Sequence, residues 1–127
     1  MAESEFKSKG GLQRVLNAAR YSMQGFRAAL NYEAAFRQEL ALAILMLPLS
    51  FWLAANRWEL LAMLASMLLV LIIELFNSAL EALADEVSIE RRERLGRAKD
   101  MGSAAVFLAL SVCVFTWVAV LWPRVFS

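Results

Sequence analysis

Three blocks of apolar residues organise the chain, and a differently patterned segment precedes them. In that segment Leu12, Val15, Leu16, Ala19, Met23, Phe26 and Leu30 recur mostly at steps of three or four. Arg14, Asn17, Ser22, Gln24 and Arg27 fall largely elsewhere. This spacing marks one helical face and predicts an amphipathic helix over residues 12–30, lying in a membrane interface. Asn31 is placed to cap the helix that follows, with Glu33 in its first turn.

The first block, Leu40 to Ala55, is apolar apart from Ser50. It falls short of the ~20 residues that cross a bilayer, so it borrows a turn at each end and predicts a helix over about 33–55. Pro48 lies inside it and frees one carbonyl. The second block, Leu60 to Ile73, runs on through Glu74 to Glu81 without a helix breaker, predicting a helix over about 58–87. The third, Met101 to Trp122, has 22 residues without a charge and predicts a span over about 100–122. Trp52 and Trp58 mark one interface, and Trp117 and Trp122 suit the same one. The pattern is that of an all-α membrane protein: three transmembrane helices plus an N-terminal amphipathic surface helix, in a single membrane domain over 1–127.

Composition strengthens this reading. Hydrophobic residues make up 61% of the 127, against ~45–50% in soluble domains. That excludes a disordered tail, a collagen-like fibre and a disulfide-stapled secreted module. The net charge of +1 carries no nucleic-acid signal. The single cysteine, Cys113, has no intrachain partner, and the lack of histidine removes His ligands and His bases together. The first thirty residues carry charges throughout and do not read as a cleavable signal peptide. Of the 13 Lys and Arg residues, only Arg57 and Arg124 lie in the first loop and at the C-terminus. The other eleven precede the first span or occupy the second loop, which places the N-terminus in the cytoplasm and the C-terminus outside.

Charge within the spans is the candidate chemistry. Glu74, Asn77 and Glu81 stand at i, i+3 and i+7 on one helix face, and Asp85 extends the stripe. A carboxylate at such depth needs a partner, a wet cleft or protonation. It reads either as a functional group or as glue between helices, and an isolated carboxylate is poor glue. Glu33 and Arg37 form an i,i+4 pair, and Arg37 and Glu39 read equally well as a solvated helix end. Glu33 and Glu81 fall at a similar level, and two carboxylates brought together there suit Mg²⁺, which takes one or two carboxylates plus phosphate oxygens. Lys99 and Asp100 begin the third predicted span, where a helix N-terminus and a lysine both attract phosphate. Arg91, Arg92 and Arg94 read first as positive-inside anchors. No P-loop is present. The cytoplasm-facing ring of Glu33, Glu74, Asn77, Glu81, Lys99 and Asp100 supports phosphoryl transfer to a membrane-borne hydroxyl.

At these residues the chain resembles the prokaryotic integral-membrane diacylglycerol kinase family. Glu74-Leu75-Phe76-Asn77-Ser78-Ala79-Leu80-Glu81-Ala82-Leu83-Ala84-Asp85 is similar to its signature, Glu-x-x-Asn-Ser/Thr-Ala-x-Glu-x-x-x-Asp. The segments Glu33 to Glu39 and Gly96 to Ala105 match two further blocks, and the resemblance covers about residues 12–122. It implies a homotrimer with sites shared between subunits, in the bacterial inner membrane, transferring the ATP γ-phosphate to diacylglycerol to give phosphatidic acid. It also implies that Glu74 is the general base on the lipid hydroxyl, that Glu33 and Glu81 hold Mg²⁺, and that Asn77 and Asp100 organise the site. Lys99 would then contact the phosphates, Arg14 would lie near the lipid, Tyr21 near the nucleotide, and Glu90, Arg91 and Arg92 beside it. Phe76, Tyr32 and Glu86 depart from the family pattern, which favours an aliphatic residue, Asn and a basic residue there.

Three other functions fit parts of the pattern. A sister branch phosphorylates undecaprenol, although Asn-Ser-Ala and Met-Gly-Ser-Ala-Ala look more like the diacylglycerol branch. A small cation-coupled transporter uses an intramembrane Glu but leaves Lys99 and Asp100 unexplained. A scaffold would use the acids only for packing.

Overall fold

The computed structural model describes residues 10–90 and 92–126. The chain divides into two compact units, Met1–Glu33 and Ala34–Ser127. The first holds helix α1, Gly11–Tyr32. The second holds α2, Ala34–Leu53, α3, Arg57–Val87, and α4, Glu93–Phe126. These last three are long and apolar enough to cross a membrane.

α1 starts one residue before its expected bound and ends two after it. The Gly10 carbonyl accepts from the Gln13 and Arg14 N–H groups at 3.1 and 3.3 Å. Along the helix Gln13 Nε2 donates to Asn17 Oδ1 at 3.2 Å, and the Arg20 guanidinium lies 5.4 Å from the Tyr21 ring centroid. Asn31 does not cap the next helix, as its sequence position suggested. The Glu33 N–H still reaches the Ala29 carbonyl at 2.9 Å, so the helix runs on past Asn31. The chain leaves helical geometry only at Glu33, which is extended at φ −117° and ψ 103°.

α2 runs unbroken through Pro48, and the Ser50 hydroxyl two residues on donates to the Leu47 carbonyl at 2.6 Å. The connection to α3 is short because Asn56 starts the new helix firmly. Its Oδ1 accepts from the Trp58 and Glu59 N–H groups at 2.9 and 3.0 Å, and Glu59 Oε1 accepts from the Ala55 N–H at 2.8 Å. The two side chains therefore satisfy N–H groups that a helix start otherwise leaves open. Asn56→Ala should cost about 1 kcal/mol, read as a lower melting temperature in detergent. Asn56→Asp should restore it, since a carboxylate accepts the same bonds.

α3 is the central element, packed against both α2 and α4. Ser66 Oγ lies 3.5 Å from Cys113 Sγ, and Glu59 pairs with Arg124 at 3.9 Å, which sets α3 and α4 antiparallel. The core lies toward the end that carries Arg57 and Arg124. There Met63, Met67, Trp117 and Val120 are buried, flanked by Met46, Leu53 and Leu64. Unbranched methionines fill irregular gaps around an indole well. Trp117 is thus a core residue, whereas Trp52, Trp58 and Trp122 are exposed. α4 extends to Phe126, which moves its end outward and leaves Trp117 among core side chains. Phe107, Leu108, Phe115 and Val118 point outward and exposed, a surface suited to lipid.

The largest correction to the expected elements is at α4. It begins at Glu93 rather than near residue 100. The stretch from Glu93 to Lys99 is highly charged, but apart from Gly96 its residues, Glu, Arg, Leu, Ala and Lys, are good helix formers. Charge density there marks the polar end of a long helix, and the loop shortens to the residues around Ser88 to Arg92.

Candidate active site

The polar end of the second unit is built on one face of α3. Glu74 is 5% exposed and Ser78, one turn on, 7%. Glu81 follows half-buried and Asp85 exposed. Helical spacing stacks these groups in a line that leaves the apolar span and ends at the loop. Burying Glu74 is costly for a charged carboxylate, so its place is not that of an ordinary packing residue.

α2 brings a second carboxylate to this level. Glu39 and Glu74 are close enough for their charges to repel. Glu39 Oε2 is buried and makes no hydrogen bond. The reading of Glu39 as a solvated helix end is thus corrected: packing of α2 on α3 turns it inward. The sequence did carry a signal, because Glu39 abuts an uncharged run just as Glu74 does.

Asn77 sits beside the stripe and faces α4. Its Oδ1 is buried without a hydrogen-bond partner. It occupies the space that a Cβ on Gly102 would need, so the glycine is what lets the two helices approach. Ile73, Phe76, Leu80, Met101, Asn77 and Gly102 line an open groove of about 330 Å³ at this contact.

Lys99 reaches across from α4 to α3, where its Nζ donates to Asp85 Oδ1 at 2.5 Å. Lys99 and Glu90 line one small cavity of about 90 Å³ with Ser88 and Gly96, and the Glu90 N–H donates to Ser88 Oγ at 3.1 Å. Asp100 and Arg92 are exposed nearby in sequence. Arg91 lies outside the described residues. Lys99 is the seventh residue of its helix rather than the first, so the expected help from the helix dipole is corrected. That field fades within the first turn, which leaves Lys99 with the charge of its own ammonium.

Of the remaining candidates, Arg14, Tyr21 and Glu33 belong to the first unit. Tyr21 is exposed beneath the Arg20 guanidinium, and Glu33 is the extended residue that ends α1. Chemically, the second unit offers a buried carboxylate on α3, an open groove between α3 and α4 and, held by Asp85 farther along the α3 face, an α4 lysine suited to phosphate.

The family model for prokaryotic diacylglycerol kinase matches residues 20–121. The chain belongs to that family. A relative from Pseudomonas aeruginosa named diacylglycerol kinase is 50% identical over 121 residues, covering 95% of this chain and 98% of its own. Relatives of the same name from Escherichia coli and Haemophilus influenzae are 46% and 44% identical. They cover 90% and 88% of this chain, and 93% and 95% of their own. The match to the diacylglycerol kinase family includes all three motif blocks and every candidate residue except Arg14.

Proposed function

We propose that this chain is a diacylglycerol kinase, a multi-pass enzyme of the bacterial inner membrane that transfers the ATP γ-phosphate to diacylglycerol. One observation carries the reading: a buried carboxylate at the edge of the apolar span shares a helix face with an acid that holds a lysine from the neighbouring helix. A lipid hydroxyl must stay at the membrane level while a nucleotide stays in water. Glu74 and Lys99 stand at two such levels.

In the reaction the lipid hydroxyl oxygen attacks the γ-phosphorus, the bond from that phosphorus to the bridging oxygen breaks, and ADP leaves. Glu74 takes the hydroxyl proton. Its buried position keeps water away from the carboxylate, so the lipid alcohol is the acceptor presented to it. Lys99 supplies a cation to the phosphate oxygens. Asn77 and Asp100 orient groups around the transfer, and Glu90, Arg91 and Arg92 flank the nucleotide. The same reading assigns Arg14 to the lipid side, and Tyr21 and Glu33 to the nucleotide side.

ATP of this kind travels with Mg²⁺. Among the described residues no three Asp, Glu or Cys side chains converge as a metal cage. Mg²⁺ takes one or two carboxylates and completes its octahedron with phosphate oxygens and water. Glu33 and Glu81 are the carboxylates assigned to it, and the ion when bound neutralises phosphate charge. Glu81→Gln should therefore weaken Mg·ATP binding about tenfold, the order of one charge-assisted contact, while lipid affinity holds. Unchanged nucleotide affinity by titration calorimetry would remove Glu81 from that role.

The proposal extends to assembly and orientation. α1 lies as an amphipathic helix in the cytoplasmic interface, the N-terminus is inside and the C-terminus outside, as the distribution of Lys and Arg supports. Three spans cannot enclose a lipid and a nucleotide alone, which favours an oligomer, and the resemblance to the family makes it a homotrimer whose subunits share sites. The deciding experiment offers purified protein γ-labelled Mg·ATP with diacylglycerol and with undecaprenol in parallel micelles. Label in phosphatidic acid is expected. Label only in the polyprenol would change the substrate, and label in neither, from folded protein, would overturn the kinase reading.

A further inference from the structure

Asp85 has no role in the reaction as described so far, yet it holds Lys99, the α4 cation assigned to phosphate. We propose that Asp85 is a positioning residue: it parks the Lys99 ammonium when the nucleotide site is empty and releases it to the phosphate oxygens when nucleotide binds. The inference rests on the kinase reading above and deepens it.

The geometry favours a transferable pair over a structural staple. The contact is short, at 2.5 Å, but the side chains are 35% and 54% exposed for Lys99 and Asp85. An ion pair this open to solvent adds little to stability. What it does achieve is confinement. A lysine has four flexible bonds and many rotamers, and Asp85 selects the few that carry Nζ to it, on a residue that also lines the cavity with Ser88, Glu90 and Gly96. A triphosphate carries more negative charge than one carboxylate and competes well for the same ammonium. Exchange costs one exposed ion pair and forms another, so the lysine arrives at the phosphates without a search.

Two further facts fit. Asp85 closes the acidic stripe on the α3 face that begins with Glu74, so the parked lysine stays in line with the reacting groups. Gly96, one turn before Lys99, is buried. The α4 backbone is therefore packed one turn from Lys99, whose side chain is 35% exposed.

The test uses the full-length protein in lipid micelles, with Asp85→Asn, Asp85→Glu, Lys99→Met and the Asp85→Asn/Lys99→Met double variant. Asp85→Asn should lower kcat about tenfold through lost positioning and leave affinity for a non-hydrolysable ATP analogue unchanged or tighter. Asp85→Glu should recover much of the rate. In the Lys99→Met background Asp85→Asn should cost nothing more. A kcat near wild type, or the same loss without Lys99, would overturn the proposal. A second readout does not depend on lipid phosphorylation: acetylation of Lys99 by an amine-reactive ester, followed by peptide mass spectrometry. Asp85→Asn should speed labelling of Lys99 without nucleotide, and Mg·ATP should slow it in both proteins. Labelling unchanged by the substitution would overturn the parked state. Normal labelling behaviour in a protein that phosphorylates no lipid would instead sink the kinase reading and leave the exchange of Lys99 between Asp85 and nucleotide standing.

Discussion

Glu74→Gln should reduce lipid phosphorylation about a thousandfold, within the range expected for loss of a general base, and should leave nucleotide affinity and folding in place. Gln has the shape of Glu and keeps a carbonyl oxygen and hydrogen-bonding capacity. It lacks a lone pair basic enough to take the hydroxyl proton. The site is 5% exposed, so a charged carboxylate there carries a desolvation cost that the amide does not. It also faces Glu39, whose charge opposes a second one. The variant should melt at the same temperature as wild type or higher. That combination separates the two roles an intramembrane acid can have. Were Glu74 mainly glue between helices, the melting temperature would fall along with turnover. Turnover near wild type would remove Glu74 as the base. The informative measurement is kcat and melting temperature on one preparation, with analogue binding as the control for an intact nucleotide site.

The helices were legible in the sequence to the extent that apolar periodicity defined them. α2 and α3 end within two residues of the expected bounds, because the uncharged runs and the prolonged pattern past Glu74 mark them. α4 was read short, since hydropathy marks where a helix enters lipid and not where it starts. The residues from Glu93 to Lys99 are helical by propensity and polar by position, and only the first property fixes backbone geometry. Trp117 was misplaced for a related reason. A tryptophan near the end of an apolar run looks interfacial until the helix is known to extend a turn further.

The site was legible residue by residue but not pair by pair. Spacing alone puts Glu74, Asn77, Glu81 and Asp85 on one face of α3, and its place at the start of the third predicted span makes Lys99 the candidate for phosphate. Which residue meets which depends on the register between helices, and no periodicity encodes that. The Lys99–Asp85 pair, the approach of Glu39 to Glu74 and the contact of Asn77 with Gly102 all cross from one helix to another. Gly102 begins the small-residue run Gly102-Ser103-Ala104-Ala105, a composition that permits close approach of another helix. The structure singles it out, because it alone of that run has the Asn77 side chain in the place of its missing Cβ.

Gly102→Ala should be harmful, and its sign should depend on Asn77. In a helix alanine is better than glycine by ~0.8–1.0 kcal/mol, so the substitution is stabilising wherever space exists. At Gly102 the added methyl overlaps Asn77 Oδ1 and presses on its Cγ at 3.3 Å. Forcing an extra carbon into a packed contact costs about 1–3 kcal/mol, which exceeds the propensity gain. The overlap is relieved either by separating α3 from α4 or by turning the Asn77 side chain away. Both displace a residue assigned to the site, and a misplacement of about 1 Å can cost roughly a hundredfold in rate. Gly102→Ala is therefore expected to lower turnover by that order and to reduce the melting temperature modestly. The same change made on Asn77→Ala should raise the melting temperature, since the overlapping atom is gone and only the helix preference remains. This reversal is the decisive observation. If alanine at 102 were destabilising to the same degree in both backgrounds, the conflict would lie elsewhere on α4 and Asn77 would not be what Gly102 accommodates. If it were stabilising in both, the helices would have room to spare, and the close approach of α3 and α4 at this level would not be what positions Asn77.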